Sequence, residues 1–292
     1  MRILITGANG FLGSSLARCL LDAGHKVSGS VRAGSRQPAG RIGIDEIGVL
    51  ELGRPFDKDL FRQRDVVIHC AHDFSPGSVA RNVDGTRAIY EAARDAGVVQ
   101  QAFLGSYSAR RDSPVDYGRI KYELETFFLA AGQVVIRPGL VIGNGGLFGR
   151  NMRKILASPV IPLPDGGRDR IPIIGIVDFL VATRLIIESG KPGAYNLFCD
   201  ELVTLRELTE AVNRHAGHRA MCIGIPCSWV VFFLTAMQKL GLRFPVDVNN
   251  LKALKNTQPR IYASDLKALL GGETSMDAAL SLAVSSFRTA AA

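Results

Sequence analysis

Membrane-length apolar runs, blocks of like charge and paired cysteines at metal-ligand spacing are all missing from this 292-residue chain. Its five cysteines, Cys19, Cys70, Cys199, Cys222 and Cys227, are odd in number and widely scattered. That excludes a disulfide framework and suits reduced thiols in a cytoplasmic protein. Cys222 and Cys227 flank a proline inside an apolar segment, and no metal site is expected there. Lys and Arg outnumber Asp and Glu by 35 to 27, a formal charge of +8. The basic residues form no run of five and are not interleaved with aromatics, so the excess suits an anionic small molecule and not nucleic acid. The longest apolar stretch, residues 221–237, is broken by Pro226 and Ser228 and falls short of the ~20 residues of a membrane span. A buried or lid-like helix is expected there. The first residues already read as a strand, so no signal peptide is expected. With 47% hydrophobic and 21% charged residues, the chain has a globular composition, long enough for one large domain or two.

The most informative stretch comes first. An apolar run over residues 2–6 leads into Gly7-Ala-Asn-Gly10-Phe-Leu-Gly13, and residues 14–23 carry a helical pattern. Strand, glycine-punctuated turn and helix form a phosphate cradle. Gly7 lets the chain turn off the strand, Gly10 opens backbone N–H groups to a pyrophosphate, and Gly13 lets the helix pack closely. The helix N-terminus adds unpaired donors and a positive dipole end. Gly7, Asn9, Gly10, Phe11, Leu12 and Gly13 are therefore candidate dinucleotide contacts.

Strand and helix patterns then alternate. Strands are expected over residues 26–32, 48–52, 65–70, 101–106 and 133–137, and helices over 78–96 and 115–131. Near-continuous apolar strands separated by helices predict a Rossmann-like, doubly wound parallel α/β sheet covered on both faces. After residue 143 the texture changes to Gly- and Pro-rich sequence, with a helix over 177–189, a short strand over 195–197 and a helix over 204–215. Thr204 and Glu207 stand in capping-box positions. A dinucleotide-binding domain over residues 1–145 is expected, with a smaller substrate-binding region over 146–292 that returns a strand and a helix to the main sheet.

Tyr117 and Lys121 stand four apart on an expected helix, which puts phenol and ammonium on one face. A neighbouring cation favours phenolate, so Lys121 is expected to lower the phenol pKa and ready Tyr117 for proton exchange. Ser106 closes the fifth expected strand, and ligands of such sheets bind beyond the carboxyl ends of strands. Its hydroxyl can share a substrate oxygen with Tyr117, and Ser108 is the fallback.

With these pieces the chain resembles the extended short-chain dehydrogenase/reductases, in the branch of NAD(P)-dependent sugar-nucleotide epimerases and dehydratases. The likeness rests on Thr6-Gly-Ala-Asn-Gly-Phe-Leu-Gly13, Asp65-Val-Val-Ile-His-Cys-Ala71, Asn82-Val-Asp-Gly-Thr86, the Tyr117/Lys121 pair, Arg137-Pro-Gly139, Ile176-Val-Asp178 and Tyr195-Asn-Leu197. It implies Tyr117 as general acid/base, Lys121 on the nicotinamide ribose, Ser106 on the substrate oxygen, and Cys70, Ala71 and Pro138 beside the cofactor. It also implies a nucleotide-sugar substrate and a homodimer built on two helices per subunit. The carboxylate that selects NAD at the end of the second strand is missing, since residues 26–43 contain no acid. Arg32 stands there, with Arg36 behind it, and suits a 2′-phosphate, so NADP is favoured with NAD possible. Leu140 and Gly175 replace residues that are often Asn and His in related epimerases. Arg110, Arg111, Arg168 and Arg170 are candidates to grip a diphosphate, with Ser108 and Arg170 as substrate contacts. An NADPH-dependent ketone or aldehyde reductase is the alternative, and a non-catalytic nucleotide-binding subunit is the reading from another class.

Overall fold

A computed structural model describes residues 1–35, 43–44, 46–226, 228 and 262–291. The amino-terminal half alternates β1 (Arg2–Thr6), α1 (Phe11–Asp22), β2 (Lys26–Val31), β3 (Glu46–Val49), β4 (Val66–His69), α2 (Val79–Asp95), β5 (Gln100–Leu104), α3 (Asp116–Ala130) and β6 (Val134–Pro138). Further on come α5 (Ile176–Ser189) and β11 (Gly193–Leu197). Together the strands make one seven-stranded parallel sheet in the order β11-β6-β5-β4-β1-β2-β3. The order reverses direction between β1 and β4, which opens a crevice at their carboxyl ends.

Alternation along β1 shows why both faces are covered. Ile3 and Ile5 pack with Leu16 and Leu20 of α1 and Phe179 and Ile186 of α5. Leu4 points the other way, onto Ile89 and Ala93 of α2. Under β5 and β6, Phe103 and Val135 meet Leu124 and Phe128 of α3. Most inward positions are apolar because a parallel strand buried on both faces has no solvent side, and the polar exceptions on the strands include His69 and Gln101, which bond each other at 2.8 Å.

The remaining elements are β7 (Leu140–Ile142), α4 (Gly146–Leu156), β8 (Val160–Pro164), β9 (Arg170–Ile171), β10 (Ile173–Gly175), β12 (Val203–Thr204), α6 (Leu205–Ala216), β13 (Met221–Ile225), α7 (Leu266–Leu270) and α8 (Met276–Ala291). They pair only in twos, β10 with β7, β12 with β9 and β13 with β8. A second core joins them, with Phe148, Met152, Ile173, Leu208, Val212, Leu280 and Val284 buried together. The buried Asp178 carboxylate ties the chain end to this layer, accepting the Thr274 N–H and hydroxyl at 2.7 Å each. The capping box of α6 is complete: Glu207 N–H donates to Thr204 Oγ1 at 3.1 Å, and Thr204 N–H to Glu207 Oε2 at 2.7 Å.

Two expectations need correction. The third strand occupies Glu46–Val49, and Leu50 and Leu52 are buried in the chain that follows it. The apolar stretch begins as a strand, with Met221–Ile225 pairing in parallel with β8. Gly224 and Pro226 disfavour a helix there, whereas an extended chain accommodates both. Trp229 to Leu234, Cys227 and Arg36 lie outside the described residues. Among the described residues, no helix is long and apolar enough to cross a membrane.

Candidate active site

The glycine turn has the geometry its spacing predicts. Gly7 sits at φ +68°, where a side chain is strained, and a Cβ there would stand 3.0 Å from Ala71 Cα. A Cβ on Gly13 would overlap the Gly7 carbonyl oxygen. Thr6 Oγ1 accepts the N–H groups of Cys70 and Ala71 at 3.2 Å each, which draws the ends of β1 and β4 together. No side chain caps α1, which leaves its first N–H groups without a side-chain acceptor, the condition an anion site needs. Asn9 and Gly10 are exposed, and Leu12 is half-buried. The Phe11 ring lies on the 143–146 loop, where Cβ atoms on Gly143 and Gly146 would approach it to 2.7 and 2.9 Å. Ser30 of β2, whose carbonyl accepts the Ala8 N–H, keeps a buried hydroxyl with no partner among the described residues. A cradle that any Cβ would fill, an uncapped helix start and an orphan hydroxyl fit a dinucleotide. Arg32 follows β2, is exposed, and pairs with no described residue.

The second group gathers beyond β4 and β5. Ser106 lies just past the end of β5, not within it, and its Oγ shares a hydrogen bond with Ser108 Oγ at 2.9 Å. Tyr117 opens the first turn of α3. Burial raises its phenol pKa, a hydrogen bond with the Ser106 side chain pulls it down, and the Glu125 charge raises it again. The expected lowering by Lys121 is therefore not what dominates, because desolvation of the phenolate outweighs the nearby cation. Lys121 is buried, donates to the Leu104 carbonyl at 2.6 Å, and lies 5.7 Å from the centre of the Tyr117 ring. Burial brings its ammonium down to about 8, against the opposing pull of Glu125.

Three groups here escaped the sequence reading. Glu125, one turn beyond Lys121, is buried against Arg137 at 2.7 Å and accepts the Ser106 N–H at 3.0 Å. His72 and Phe74, after β4, pack on the Tyr117 ring with centroids 5.0 and 5.9 Å away. Phe74 is nonetheless 73% exposed. Its loop is rigidly held: Asn82 donates to the Asp73 carbonyl at 2.8 Å and accepts the Asp73 N–H at 2.9 Å, while Arg81 pairs with Asp73 at 2.9 Å. The Asn82-Val-Asp-Gly-Thr86 segment thus acts as a clamp on an aromatic shelf. The signal for it was absent, since nothing local marks which residues after β4 turn towards α3.

Cys70 follows β4 with its thiol pushed up to about 12 by burial, and Pro138 ends β6, its carbonyl accepting the Tyr107 N–H at 3.1 Å. The other arginines are less gathered. Arg110 pairs with Asp112 at 2.7 Å, Arg111 and Arg168 are exposed, and Arg170 stands exposed on β9 opposite Thr204. Leu140 begins β7 and donates its N–H to the Pro172 carbonyl at 2.8 Å. Gly175 faces the carboxyl-terminal segment, where a Cβ would meet the Ala279 Cβ at 3.3 Å. An imidazole at that position would collide with α8. The four described cysteines are free, Cys199 buried and the other three half-buried.

The profile of the NAD dependent epimerase/dehydratase family matches residues 3–197. The chain belongs to this family of NAD-dependent enzymes. A ceramide reductase of Caulobacter vibrioides is 32% identical over 198 residues, covering 65% of this chain and 61% of that protein. A 3 beta-hydroxysteroid dehydrogenase/Delta 5-->4-isomerase of Mycobacterium tuberculosis is 28% identical over 291 residues, covering 83% of this chain and 77% of the relative. A UDP-glucose 4-epimerase of Thermotoga maritima, solved with UDP-glucose, superposes with a TM-score of 0.74 at 18% identity over 100% of both chains. That last likeness shows a shared fold.

Proposed function

We propose that the enzyme is an NAD(P)-dependent oxidoreductase that interconverts a carbonyl and a hydroxyl group on a substrate with an apolar or aromatic portion. The observation that carries this is the meeting of Tyr117, Lys121 and Ser106 beyond β5, beside a backbone cradle for a dinucleotide. A nicotinamide dinucleotide held by Gly7, Gly10, Gly13 and the start of α1 would supply the hydride. In the reducing direction Tyr117 gives its phenolic proton to the carbonyl oxygen, and the Ser106 hydroxyl donates a hydrogen bond to the same oxygen. Lys121, still charged below about pH 8, stabilises the phenolate that remains. The shelf of His72 and Phe74 gives an apolar group a surface beside the reacting oxygen, and the named activities of the curated relatives agree with this class. Arg32 supports a preference for NADP through charge-assisted bonds to a 2′-phosphate.

A second reading is an epimerase or dehydratase of a nucleotide sugar. It is favoured by the exposed Arg168 and Arg170 and by the UDP-glucose bound in the structural neighbour. A homodimer remains part of either proposal. One experiment separates the readings: NADPH and NADH are offered with a panel of aryl ketones, long-chain ketones and nucleotide sugars. Stoichiometric NADPH consumption with a ketone is expected. Conversion of a nucleotide sugar with no net cofactor change would replace the first reading by the second, and failure to bind either dinucleotide would sink both.

A further inference from the structure

Helix α3 carries a third titratable group on the face of Tyr117 and Lys121. Glu125 follows them at i+8 and i+4, two turns or about 12 Å along the axis from Tyr117. Its side chain is 2% exposed. Oε1 accepts the Ser106 N–H at 3.0 Å, and Oε2 accepts the Arg137 Nε–H at 2.7 Å. That approach requires glycine before the serine, because a Cβ on Gly105 would stand 2.5 Å from Oε1. Lys121 grips the same chain two residues earlier, through the Leu104 carbonyl at 2.6 Å. The helix that bears Tyr117 therefore holds the Leu104-Gly105-Ser106 segment at both ends, and the relation of Ser106 to Tyr117 is set within one rigid element.

We infer that Glu125 is a positioning residue for hydride transfer: paired with Arg137, it locks Ser106 against Tyr117 and keeps a negative charge facing Tyr117 and Lys121. The inference rests on the reading of Tyr117 and Ser106 as the proton-handling pair. Other titratable groups do not obscure that charge. Cys70 and His72 face the pair from the chain after β4, but burial pushes the thiol up to about 12 and the imidazole down to about 3. Both are neutral across the intervening range. Asp73 beside them is held by Arg81. From β6 Arg137 faces Glu125, with the centre of the Tyr262 ring 5.1 Å from its guanidinium, and a guanidinium stays charged throughout. The Glu125 carboxylate raises both the Tyr117 phenol and the Lys121 ammonium.

The test reads the phenol directly and needs no known substrate. Phenolate absorbance is titrated in the wild type and in Tyr117→Phe, with and without saturating NAD, and the difference isolates Tyr117. Glu125→Gln keeps an acceptor for the Ser106 N–H and removes the charge, so the transition is expected to move to lower pH. Arg137→Gln leaves the carboxylate uncompensated and moves it to higher pH. Glu125→Asp, with the charge restored, brings it back towards the wild type. A purely structural role lowers the melting temperature in all three variants without opposite shifts, so an unmoved transition in either Glu125→Gln or Arg137→Gln overturns the inference. For any ketone turned over in the panel, Glu125→Gln lowers kcat about tenfold with KM unchanged. If Tyr117→Phe itself retains full turnover, the functional reading fails instead. With Tyr117→Phe inactive and the titration unmoved, only the role of Glu125 is lost.

Discussion

At the carboxyl end of β1 the site is made of backbone: three glycines, an uncapped helix start and a threonine hydroxyl that pulls β4 close. At the carboxyl end of β5 it is made of buried side chains, where Tyr117, Lys121, Glu125 and Arg137 interlock with the ends of two strands. Backbone donors bind an anion with no titrating group and no rotamer to fix. Proton transfer cannot be built that way, because it needs a group whose charge changes, and its surroundings must bear both charge states. The two ends should therefore fail differently when disturbed.

The largest contrast is expected at Tyr117. Tyr117→Phe deletes one hydroxyl and leaves the ring on His72 and Phe74, so turnover should fall by roughly 10²–10⁴. The dinucleotide Kd, measured by fluorescence or calorimetry, should stay within about twofold, since the proposed contacts to that ligand are backbone. Acid should strike the same end. His69 of β4 is buried against Gln101 at 2.8 Å, and desolvation lowers its pKa from 6.5 to about 4. Its folded value lies below its unfolded one, so the unfolded chain takes the proton first as pH falls. The stabilisation is complete above pH 6.5 and is lost as pH drops towards 4, by about 3 kcal/mol. Urea unfolding at successive pH values reads the slope, and in His69→Leu that slope should flatten even if the variant is weaker at neutral pH. A slope unchanged by the substitution would assign the acid sensitivity elsewhere.

Gly13→Ala probes the other end. The added methyl overlaps the Gly7 carbonyl oxygen, and backbone cannot swing aside as a side chain can. Dinucleotide affinity should fall about a hundredfold, while kcat at saturating cofactor is nearly preserved. Equal loss of kcat would mean that the glycine turn also orients the reacting pair, and the separation of the two ends would disappear.

The same contrast explains what could be read from the chain itself. The glycine turn is seven residues of local sequence, and Gly10 and Gly13 answer to the Gly7 carbonyl within it, while Gly7 is marked by its positive φ as well as by Ala71 across the sheet. Tyr117 and Lys121 were legible because a helix converts spacing into a shared face. Glu125 lies on that face too, yet its meaning depends on Ser106 and Arg137, which meet it only when β5 and β6 pair. The aromatic shelf was hidden for the same reason, since Asn82 and Arg81 position it from the following helix. Residues 221–225 misled in the opposite direction. Their apolar content suits a helix or a strand, and the partner that decides it, β8, lies some sixty residues earlier.

Phe74 gives the finest test of where one end stops and the other begins. A ring left 73% exposed beside the candidate acid contributes little to stability, so Phe74→Ala should change the melting temperature by no more than a degree or so. If the ring is a substrate surface, losing it removes one aromatic contact, worth about 1 kcal/mol. KM for an aryl ketone should then rise about fivefold, with kcat and the NADPH Kd unchanged. If the ring instead covers the nicotinamide end of the dinucleotide, the NADPH Kd rises and the KM effect is shared by apolar and polar substrates alike. The first outcome assigns the loop after β4 to substrate selection and makes Asn82 its indirect support. The second moves that loop to the cofactor side and takes away the main argument for an apolar substrate, leaving the exposed arginines as the better guide to what the enzyme binds.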